Sequence, residues 1–223
     1  MSGVFVTGTD TGIGKTFAST ALLHALRARG LRAVGMKPVA SGCMATPDGL
    51  RNEDAEALIA ASDPAPAYDD CNPYAFAEPI APHVAARIVG REIEMPPIRA
   101  AHARLGAGAD RIVVEGVGGW MAPLSDTLMQ ADLARALDAP VILVVGLRLG
   151  CLNHALLSAR AIVDDGCRLA GWIANRIDPA MPYADENVAT LRARIAAPLL
   201  GVLAHAPAGH AAAAAHAVDV AAL

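Results

Sequence analysis

A glycine-rich stretch over residues 7–16, ending in Gly14-Lys15-Thr16, limits what this chain can fold into more than any other part of its sequence. It follows a short apolar run at 4–6 that is typical of a buried strand, and it precedes a helical pattern over 17–29. Backbone N–H groups of a glycine-rich turn, with the positive end of the following helix behind them, can surround phosphate oxygens more densely than side chains can. The placement between strand and helix therefore predicts a phosphate-binding loop.

Two side chains of this loop can be assigned roles, and one position differs from the usual motif. In that motif Lys15 bridges the β- and γ-phosphates of a nucleoside triphosphate, and the Thr16 hydroxyl is a magnesium ligand. Thr9 stands where the motif has its first glycine, and Gly8 comes one position earlier. We therefore predict a variant loop that binds a nucleoside triphosphate together with magnesium.

The length and composition favour a single α/β domain over residues 1–223 with a small-molecule partner. The 223 residues are enough for one domain with a large core but too few for two substantial ones. The formal net charge is −4 and the basic residues do not cluster, so we expect no nucleic-acid partner. The four cysteines are scattered, without ligand-like spacing to the seven histidines, which predicts reduced thiols and no zinc site.

The same composition predicts a cytoplasmic protein with no membrane partner. The longest strongly apolar run, at 141–147, is much shorter than the roughly 20 residues that a membrane helix needs. The first residues lack the basic start and apolar core of a signal peptide. The apolar run is better explained as a buried strand.

Strand and helix patterns alternate along the chain. Apolar strand candidates, several of them continuous as expected when helices cover both faces of a sheet, lie at 4–7, 33–37, 112–115, 141–145, 169–174 and 199–203. Helical patterns lie at 16–29, closed by Gly30, and at 128–137, 153–164 and 184–195. This order predicts an α/β fold with one doubly wound, mostly parallel sheet and helices on both faces. Ligands of such sheets bind at the carboxyl ends of the strands, so functional side chains should follow strands directly.

Two segments give weaker signals. Residues 45–97 are rich in proline, aspartate and glutamate, which predicts loops and short helices over the edge of the sheet. The tail over 204–223 is mostly alanine and histidine, which predicts a short terminal helix and solvated histidines.

Two charged side chains end predicted strands. Lys37 closes the second strand, where its ammonium group could stabilise charge in a phosphoryl transfer, although a solvated lysine gives the same pattern. Glu115 closes the third strand before a glycine-rich segment, as an acidic magnesium ligand does. Asp54 could be a second acidic ligand, but its spacing is no better than that of Glu53 or Asp48, and a helix N-cap explains it at least as well.

Three further features leave two interpretations open. Ser41 could hydrogen-bond a substrate or simply turn the chain. Asn175 follows the fifth strand, where its amide could recognise the edge of an adenine or form a turn. The helix opening at 150–154 offers free N–H groups to a substrate carboxylate, or is an ordinary asparagine cap.

Four sequence blocks taken together resemble the dethiobiotin synthase family. The resemblance runs in order from the first strand to about Gly201, nearly the whole chain, and the second and third blocks are much more specific than the phosphate-binding loop. The blocks are Gly8-Thr9-Asp10-Thr11 with Gly14-Lys15-Thr16, Lys37-Pro38-Val39-Ala40-Ser41-Gly42, Glu115-Gly116-Val117-Gly118-Gly119-Trp120, and Val145-Gly146-Leu147-Arg148-Leu149-Gly150-Cys151-Leu152-Asn153-His154.

The resemblance implies a fold of the P-loop NTPase type and an enzyme that uses ATP and Mg²⁺. The implied reaction closes the ureido ring of dethiobiotin from 7,8-diaminopelargonate and CO₂. The implied route passes through a carbamate on one amine and a carbamic–phosphoric anhydride, which the second amine attacks. The resemblance also implies a homodimer, in which the 150–153 helix opening of one subunit binds the substrate carboxylate at the site of the other.

The resemblance also assigns roles residue by residue. Lys15 and Lys37 would be catalytic and stabilise the transferring phosphoryl group, and Thr16, Asp54 and Glu115 would hold magnesium. Contacts to substrate would come from Thr11, Lys37, Ser41, Gly150, Cys151, Leu152 and Asn153. The residues that bind ATP and its magnesium would be Gly12, Ile13, Gly14, Lys15, Thr16, Phe17, Asp54, Glu115, Gly116, Val117, Gly118, Asn175 and Arg176, with Asn175 at the adenine.

The chain departs from its relatives at three places. Gly12-Ile13 stands where many relatives have Glu-Val, and Asn187 stands where some place a tyrosine against the acid end of the substrate. The tail after Val202 lacks the Pro-Trp-Leu of some relatives, so the sequence does not predict selectivity for ATP over other triphosphates.

Two other protein classes share the phosphate-binding loop. A partitioning ATPase usually carries a lysine where this chain has Asp10, and it often ends in a basic element, whereas no lysine or arginine follows Arg194 here. A small-molecule kinase is the nearer alternative, because the loop and the acid would serve it equally. Such a kinase would release ADP without consuming CO₂.

Overall fold

The computed structural model describes residues 2–206 and 211–221, and in it helices separate the successive strands of a central sheet. The strands are β1 (Ser2–Gly8), β2 (Ala33–Met36), β3 (Val39–Ser41), β4 (Met44–Thr46), β5 (Gly49–Arg51), β6 (Tyr74–Phe76), β7 (Arg111–Glu115), β8 (Val141–Gly146), β9 (Leu169–Asn175) and β10 (Leu199–Leu203). The helices are α1 (Lys15–Ala28), α2 (Glu53–Ala61), α3 (Tyr68–Cys71), α4 (Pro82–Ile88), α5 (Met95–Gly108), α6 (Gln130–Ala136), α7 (Cys151–Asp164), α8 (Ala184–Arg194) and α9 (Ala211–Ala214), which continues into a 3₁₀ turn at Ala215–Ala217.

Six of the strands form one parallel sheet in the order β10-β9-β8-β1-β7-β2. The strands β1 and β2 are consecutive in the chain, yet β7 lies between them and pairs with both. In these pairings Val6 lies opposite Glu115, and Met36 lies opposite Val114. Because the strands are parallel, the residues that follow β1, β7 and β2 meet at one edge of the sheet.

Helices cover both faces of this sheet because its strands are apolar on both sides. Phe5 of β1 packs into a core shared with helices α4 to α8. Val4 and Val6 of the same strand pack into a second core, formed with α1, α2 and the C-terminal segment. All residues of β8 are buried, as expected for a strand enclosed on both faces.

The predicted doubly wound, mostly parallel sheet is confirmed. Each of the six predicted strands and four predicted helices begins and ends within two residues of an observed element. Gly30 ends α1 as expected, with a φ of 80° that favours glycine, and its N–H donates to the Arg27 carbonyl at 2.8 Å.

The segment over 45–97 contains more regular structure than the sequence predicts. It holds the short helices α2 to α4, as expected, but also the antiparallel pair β4–β5, and β6 pairs in parallel with β3. The sequence patterns do not predict α5, a helix of 14 residues. Its first turn carries Pro96 and Pro97, which usually indicate a loop. Proline is nevertheless compatible with a first helical turn, because the N–H groups there have no helical partner.

The tail forms the short helix α9, and His205 and His216 are exposed, as expected. Residues 207–210 lie outside the described part of the chain, and so does the prediction for His210. The four cysteines are free thiols, and three of them are buried. Within residues 2–206 and 211–221, every helix is too short or too polar to cross a membrane.

Candidate active site

The loop between β1 and α1 is fixed by its backbone geometry and by one side chain from β9. Gly14 has a φ of 81°, a left-handed conformation that glycine adopts without strain. The amide nitrogen of Asn175 donates to the Ile13 carbonyl at 2.9 Å. A Cβ atom on Gly14 would lie 2.1 Å from that nitrogen, so a larger residue is excluded both by φ and by contact.

Lys15 begins α1 and folds back over the loop. Its Nζ donates to the Asp10 carbonyl at 2.8 Å, and the residue is only 7% exposed. Burial lowers the pKa of its ammonium group to about 8, and the nearby charge of Lys37 acts in the same direction. A polyanion such as a triphosphate bound beside it would stabilise the ammonium form and raise this pKa.

A cluster of four side chains lies next to Lys15, and we call it the ion cluster: Thr16, Lys37, Asp54 and Glu115. The Lys37 Nζ lies 2.6 Å from Glu115 Oε1 and 3.1 Å from Asp54 Oδ2. The Thr16 hydroxyl lies 2.7 Å from Asp54 Oδ1 and 2.9 Å from Glu115 Oε1. The elements that follow β1, β2 and β7 thus bring both lysines of the sequence to one place.

Two members of the ion cluster, Lys37 and Asp54, keep their charges although burial opposes them. Burial alone would lower the pKa of Lys37, but the Glu115 and Asp54 carboxylates outweigh it and raise that pKa above its usual value. Burial likewise opposes the charge of Asp54, and the Lys37 ammonium and the Thr16 hydroxyl outweigh it, so the pKa of Asp54 is lowered. Lys37 is therefore a cation over a wide pH range, whereas Lys15 would lose its proton as pH rises through about 8.

The ion cluster offers oxygen atoms of the kind that magnesium prefers. Two carboxylates and one hydroxyl converge there, and Mg²⁺ binds hard oxygen donors of this kind beside phosphates. The buried Glu115 Oε2 has no hydrogen-bond partner among the described residues, which is costly unless a ligand satisfies it. The donor set therefore fits magnesium, and the assignment of these ligands stays a prediction. Within the described ranges, no group of three or more His, Cys, Asp or Glu side chains is arranged so that it could hold a metal ion.

The ion cluster opens onto a cleft of about 860 Å³. Among the residues predicted for the site, the following line this cleft: Thr11, Gly12, Gly14, Lys15, Thr16, Lys37, Ser41, Asp54, Glu115, Val117 and Gly118. Other lining residues were not predicted: Ala40, Asn52, Pro79, Ile80, Ala81, Pro82, Gly119, Ala122 and Pro123. The described lining does not include Ile13, Phe17, Gly116, Asn175, Arg176 or the helix opening at 150–153.

Asn52 positions Asp54 and was not singled out in the sequence. Its Oδ1 accepts the N–H groups of Asp54 at 3.1 Å and Ala55 at 3.3 Å, so Asn52 is the N-cap of α2. Asp54 therefore lies in the first turn of this helix, from which its carboxylate reaches the ion cluster. An asparagine before an acidic first turn is a recognisable cap signal, and it could have identified this role.

Gln130 supports the glycine-rich segment after β7, and nothing in the sequence marks it. The side chain is fully buried at the start of α6. Its Oε1 accepts the Val117 N–H at 2.6 Å, and its Nε2 donates to the Gly119 carbonyl at 2.8 Å and to the Thr7 hydroxyl at 3.2 Å. Gln130 thereby joins the lining of the cleft to the end of β1.

The helix opening at 150–153 lies at the start of α7, away from the cleft lining. Gly150 is the N-cap with a φ of 94°, Cys151 is buried, and Asn153 is exposed. Leu149, directly before this opening, is 97% exposed. Arg148 forms an ion pair with Asp10, which connects the segment to the phosphate-binding loop.

Known proteins resemble this chain along most of its length. A family model described as "AAA domain" matches residues 2–212. ATP-dependent dethiobiotin synthetase BioD of Xanthomonas euvesicatoria pv. vesicatoria (strain 85-10) is 61% identical over 216 residues, which cover 97% of this chain and 96% of that protein. The enzyme of the same name from Xylella fastidiosa (strain 9a5c) is 60% identical over 209 residues, which cover 94% of this chain and 92% of the relative.

Solved structures of distant proteins share the fold. A chain of the MinC:MinD cell division protein complex from Aquifex aeolicus aligns with a TM-score of 0.56 at 15% identity, covering 93% of this chain and 83% of that one. At this identity the likeness extends to the P-loop NTPase fold alone. The identities of about 60% along nearly full length carry the assignment: this chain belongs to the family of ATP-dependent dethiobiotin synthetases.

Proposed function

We propose that this chain forms dethiobiotin from 7,8-diaminopelargonate, CO₂ and ATP, with release of ADP and phosphate. The observation that carries the proposal is the ion cluster, in which Lys37 is held by two carboxylates directly beside the phosphate-binding loop. Membership of the dethiobiotin synthetase family supplies the substrate class. We place the reaction in the cytoplasm, as the sequence predicts.

The reaction would proceed in three covalent steps. One amine of the diamine adds to CO₂ and loses a proton, which gives a carbamate. A carbamate oxygen then attacks the γ-phosphorus of ATP, ADP leaves, and a carbamic–phosphoric anhydride forms. The second amine attacks the carbonyl carbon of this anhydride, phosphate leaves, and the ureido ring closes.

The two lysines would act mainly in the second step. Negative charge builds on the transferring phosphoryl group and on the leaving ADP, and a positioned cation stabilises that charge in the transition state. Lys37 holds its proton because the Glu115 and Asp54 carboxylates raise its pKa, so it supplies a permanent cation. Lys15, with a pKa of about 8, is mostly protonated at neutral pH, and the phosphates of ATP would further stabilise its charge.

Magnesium would be held by Thr16, Asp54 and Glu115, whose oxygens already converge at distances of 2.7 and 2.9 Å from the Thr16 hydroxyl. When bound, the ion would neutralise charge on the phosphate oxygens. The Asp54 and Glu115 carboxylates would thereby bind the metal and also form ion pairs with Lys37.

Substrate binding would use the part of the cleft that extends beyond the phosphates. Thr11 is exposed and Ser41 is half-buried, and both line the cleft near the lysines. Their hydroxyls can donate to a carbamate oxygen or accept from an amine of the diamine. This pair would hold the reacting end of the substrate.

The other end of the substrate would be bound by a partner subunit. The helix opening at 150–153 offers the N–H groups of a 14-residue helix to a carboxylate, yet it does not line the cleft of its own chain. Apolar side chains are exposed just before this opening and along α7: Leu149 is 97% exposed, and Leu157 and Val163 are each 59% exposed. A homodimer that buries this surface would bring the helix opening to the neighbouring cleft.

Fixation of labelled bicarbonate tests the reaction. The purified protein is incubated with ¹⁴C-bicarbonate, ATP and MgCl₂, with and without 7,8-diaminopelargonate, and both acid-stable label and ADP are counted. We expect acid-stable label to form only with all components present, and Lys37→Met to lose it. ADP release without fixed label would contradict the proposal and favour a kinase or an ATPase.

Subunit mixing tests the shared site. Lys37→Ala disables the nucleotide half, and Asn153→Asp places a negative charge at the helix opening while remaining compatible with a first helical turn. Randomly mixed dimers should regain about a quarter of wild-type activity, because half are heterodimers and each of these holds one intact site. Mixtures that stay as inactive as the single variants, or a monomer in sedimentation, would contradict the proposed dimer.

A further inference from the structure

Two residues outside the cleft are linked to the backbone of Lys37: Asn72 directly, and Tyr68 through Asn72. The Asn72 amide nitrogen donates to the Lys37 carbonyl at 2.6 Å, and the Lys37 N–H donates to the Cys71 carbonyl at 2.8 Å. The Tyr68 hydroxyl donates to Asn72 Oδ1 at 3.1 Å. Both backbone groups of Lys37 are therefore fixed by α3 and by the residue that follows it.

The same tyrosine hydroxyl also binds the start of α2. It accepts the Asn52 N–H at 2.7 Å, and the Asn52 side chain in turn accepts the Asp54 N–H at 3.1 Å. The Asp54 carboxylate then lies 3.1 Å from Lys37 Nζ. Together these hydrogen bonds and the Lys37–Asp54 ion pair form a closed ring of contacts. The Tyr68 hydroxyl closes this ring on the side opposite to the ion pair.

The two asparagine side chains of this hydrogen-bonded ring are buried, and the aromatic side chain of Tyr68 has a separate contact. Asn52 is 6% exposed and Asn72 is 3% exposed, so water cannot replace their bonds without rearrangement. The Arg51 guanidinium lies 4.1 Å from the centre of the Tyr68 ring. The ring of this tyrosine therefore has a contact that does not depend on its hydroxyl.

We propose that Tyr68 and Asn72 are positioning residues that set the separation of Lys37 and Asp54. The inference rests on the proposed function, which gives Lys37 its role at the transferring phosphoryl group. A displacement of about 1 Å in a positioned group can lower a rate by about 10²-fold. A hydroxyl that contacts no reactant can thus control turnover.

The variant Tyr68→Phe tests this role, with Tyr74→Phe as a matched control. The Tyr74 hydroxyl also accepts one backbone N–H, from Glu94 at 3.1 Å, and Tyr74 is 2% exposed. Its hydroxyl bonds lead toward α5 and not toward the ion cluster. Each variant loses one hydroxyl and keeps its aromatic ring, so an effect on folding alone should appear in both.

For wild type and both variants, kcat of ring closure, KM for ATP and the thermal midpoint are measured. We expect Tyr68→Phe to lower kcat roughly tenfold while changing KM for ATP less than about twofold, because the phosphate-binding loop is untouched. Tyr74→Phe should keep the wild-type kcat at a similar thermal midpoint. Equal kcat values for the two variants would overturn the inference.

A second variant checks that the two residues act through one link. Asn72→Asp keeps the acceptor for Tyr68 but removes the donor to Lys37, so it should also lower kcat. The double variant should be little worse than the poorer single one, because both changes break the same ring. Effects that multiply fully would overturn the inference. A wild-type protein that fixes no CO₂ would instead contradict the proposed function.

Discussion

Replacing Lys37 with methionine removes the cation from the ion cluster, and the loss of stability can be estimated from its burial. The Lys37 and Glu115 side chains are 4% and 0% exposed, and they are joined at 2.6 Å. Breaking such a buried pair leaves an uncompensated charge and costs about 3–5 kcal/mol. Asp54 is 38% exposed, so its pair with Lys37 adds less than about 1 kcal/mol. A loss of 3–5 kcal/mol corresponds to a fall in Tm of roughly 6–20 °C for a domain of this size.

The stability difference between Lys37→Met and wild type should depend on pH in a defined way. The pKa of Asp54 is lowered from 3.8, so its contribution is present above that value and is lost as pH falls through the lowered pKa. The pKa of Lys37 is raised from 10.5, so its contribution is present below that value and is lost as pH rises through the raised pKa. The difference should therefore shrink below about pH 4 and above about pH 10. It should also change near pH 8, because Lys37 lowers the pKa of Lys15 and the variant lacks this effect.

The same variant should separate turnover from nucleotide binding. Loss of a preorganised charge that stabilises a transition state typically costs about 10²–10³ in kcat. ATP affinity should change little, since the phosphate-binding loop and Lys15 remain. Denaturant unfolding across pH, calorimetric ATP titration and the bicarbonate assay measure the three quantities on one preparation.

Arg32→Met is the matched control for this prediction. Arg32 is paired with Asp110 at 2.8 Å, but the two side chains are 61% and 37% exposed and solvent screens the pair. The change should therefore leave the free energy of unfolding and kcat close to the wild-type values. A Lys37→Met protein as stable as Arg32→Met would refute the estimate for the buried pair. Wild-type kcat in Lys37→Met would remove this lysine from the mechanism.

Three further predictions concern the loop and its support. Lys15 should titrate with a pKa of about 8 in the free protein, and ATP should raise this pKa. Labelling with ¹³Cε-lysine gives only two side-chain signals to follow in the titration. Titration near 10.5 without ATP would contradict burial as the cause of the lowered pKa. Gln130→Met should lower the free energy of unfolding by about 2–4 kcal/mol, because it leaves buried groups unpaired, and a loss below about 0.5 kcal/mol in urea unfolding would refute this. Gly14→Ala should abolish most ATP binding, because its Cβ would clash with Asn175. Gly12→Ala should cost only about 1–2 kcal/mol of stability, because its Cβ would meet nothing within 4 Å. Equal ATP affinities of the two variants would contradict this difference.

The sheet and the strand-end residues could be predicted because they depend on local patterns. Continuous apolar runs mark strands enclosed on both faces, and the phosphate-binding loop fixes the carboxyl edge at which ligands bind. The rule that functional side chains follow strands then identifies Lys37 and Glu115, which the structure brings within 2.6 Å of each other. This part of the site required no knowledge of long-range packing.

Other parts could not be predicted because they depend on contacts between distant segments. Asp54 meets Thr16 across 38 positions, and local spacing does not distinguish it from neighbouring acids. Gln130 bonds Thr7 across 123 positions, and its residue type gives no sign of this. For Asn175 the structure adds a bond to the loop carbonyl of Ile13, and its role at adenine stays a prediction.

The position of β7 between β1 and β2 also sets the order in which the strands of a newly synthesised chain can pair. Neither β1 nor β2 pairs with the other in the described sheet, and β2 is joined to it only through β7. A ribosome must therefore synthesise residues 111–115 before the second strand can dock. Insertion of that one strand brings Glu115 to Lys37 in the same event, so the docking of β2 and the assembly of the ion cluster are coupled.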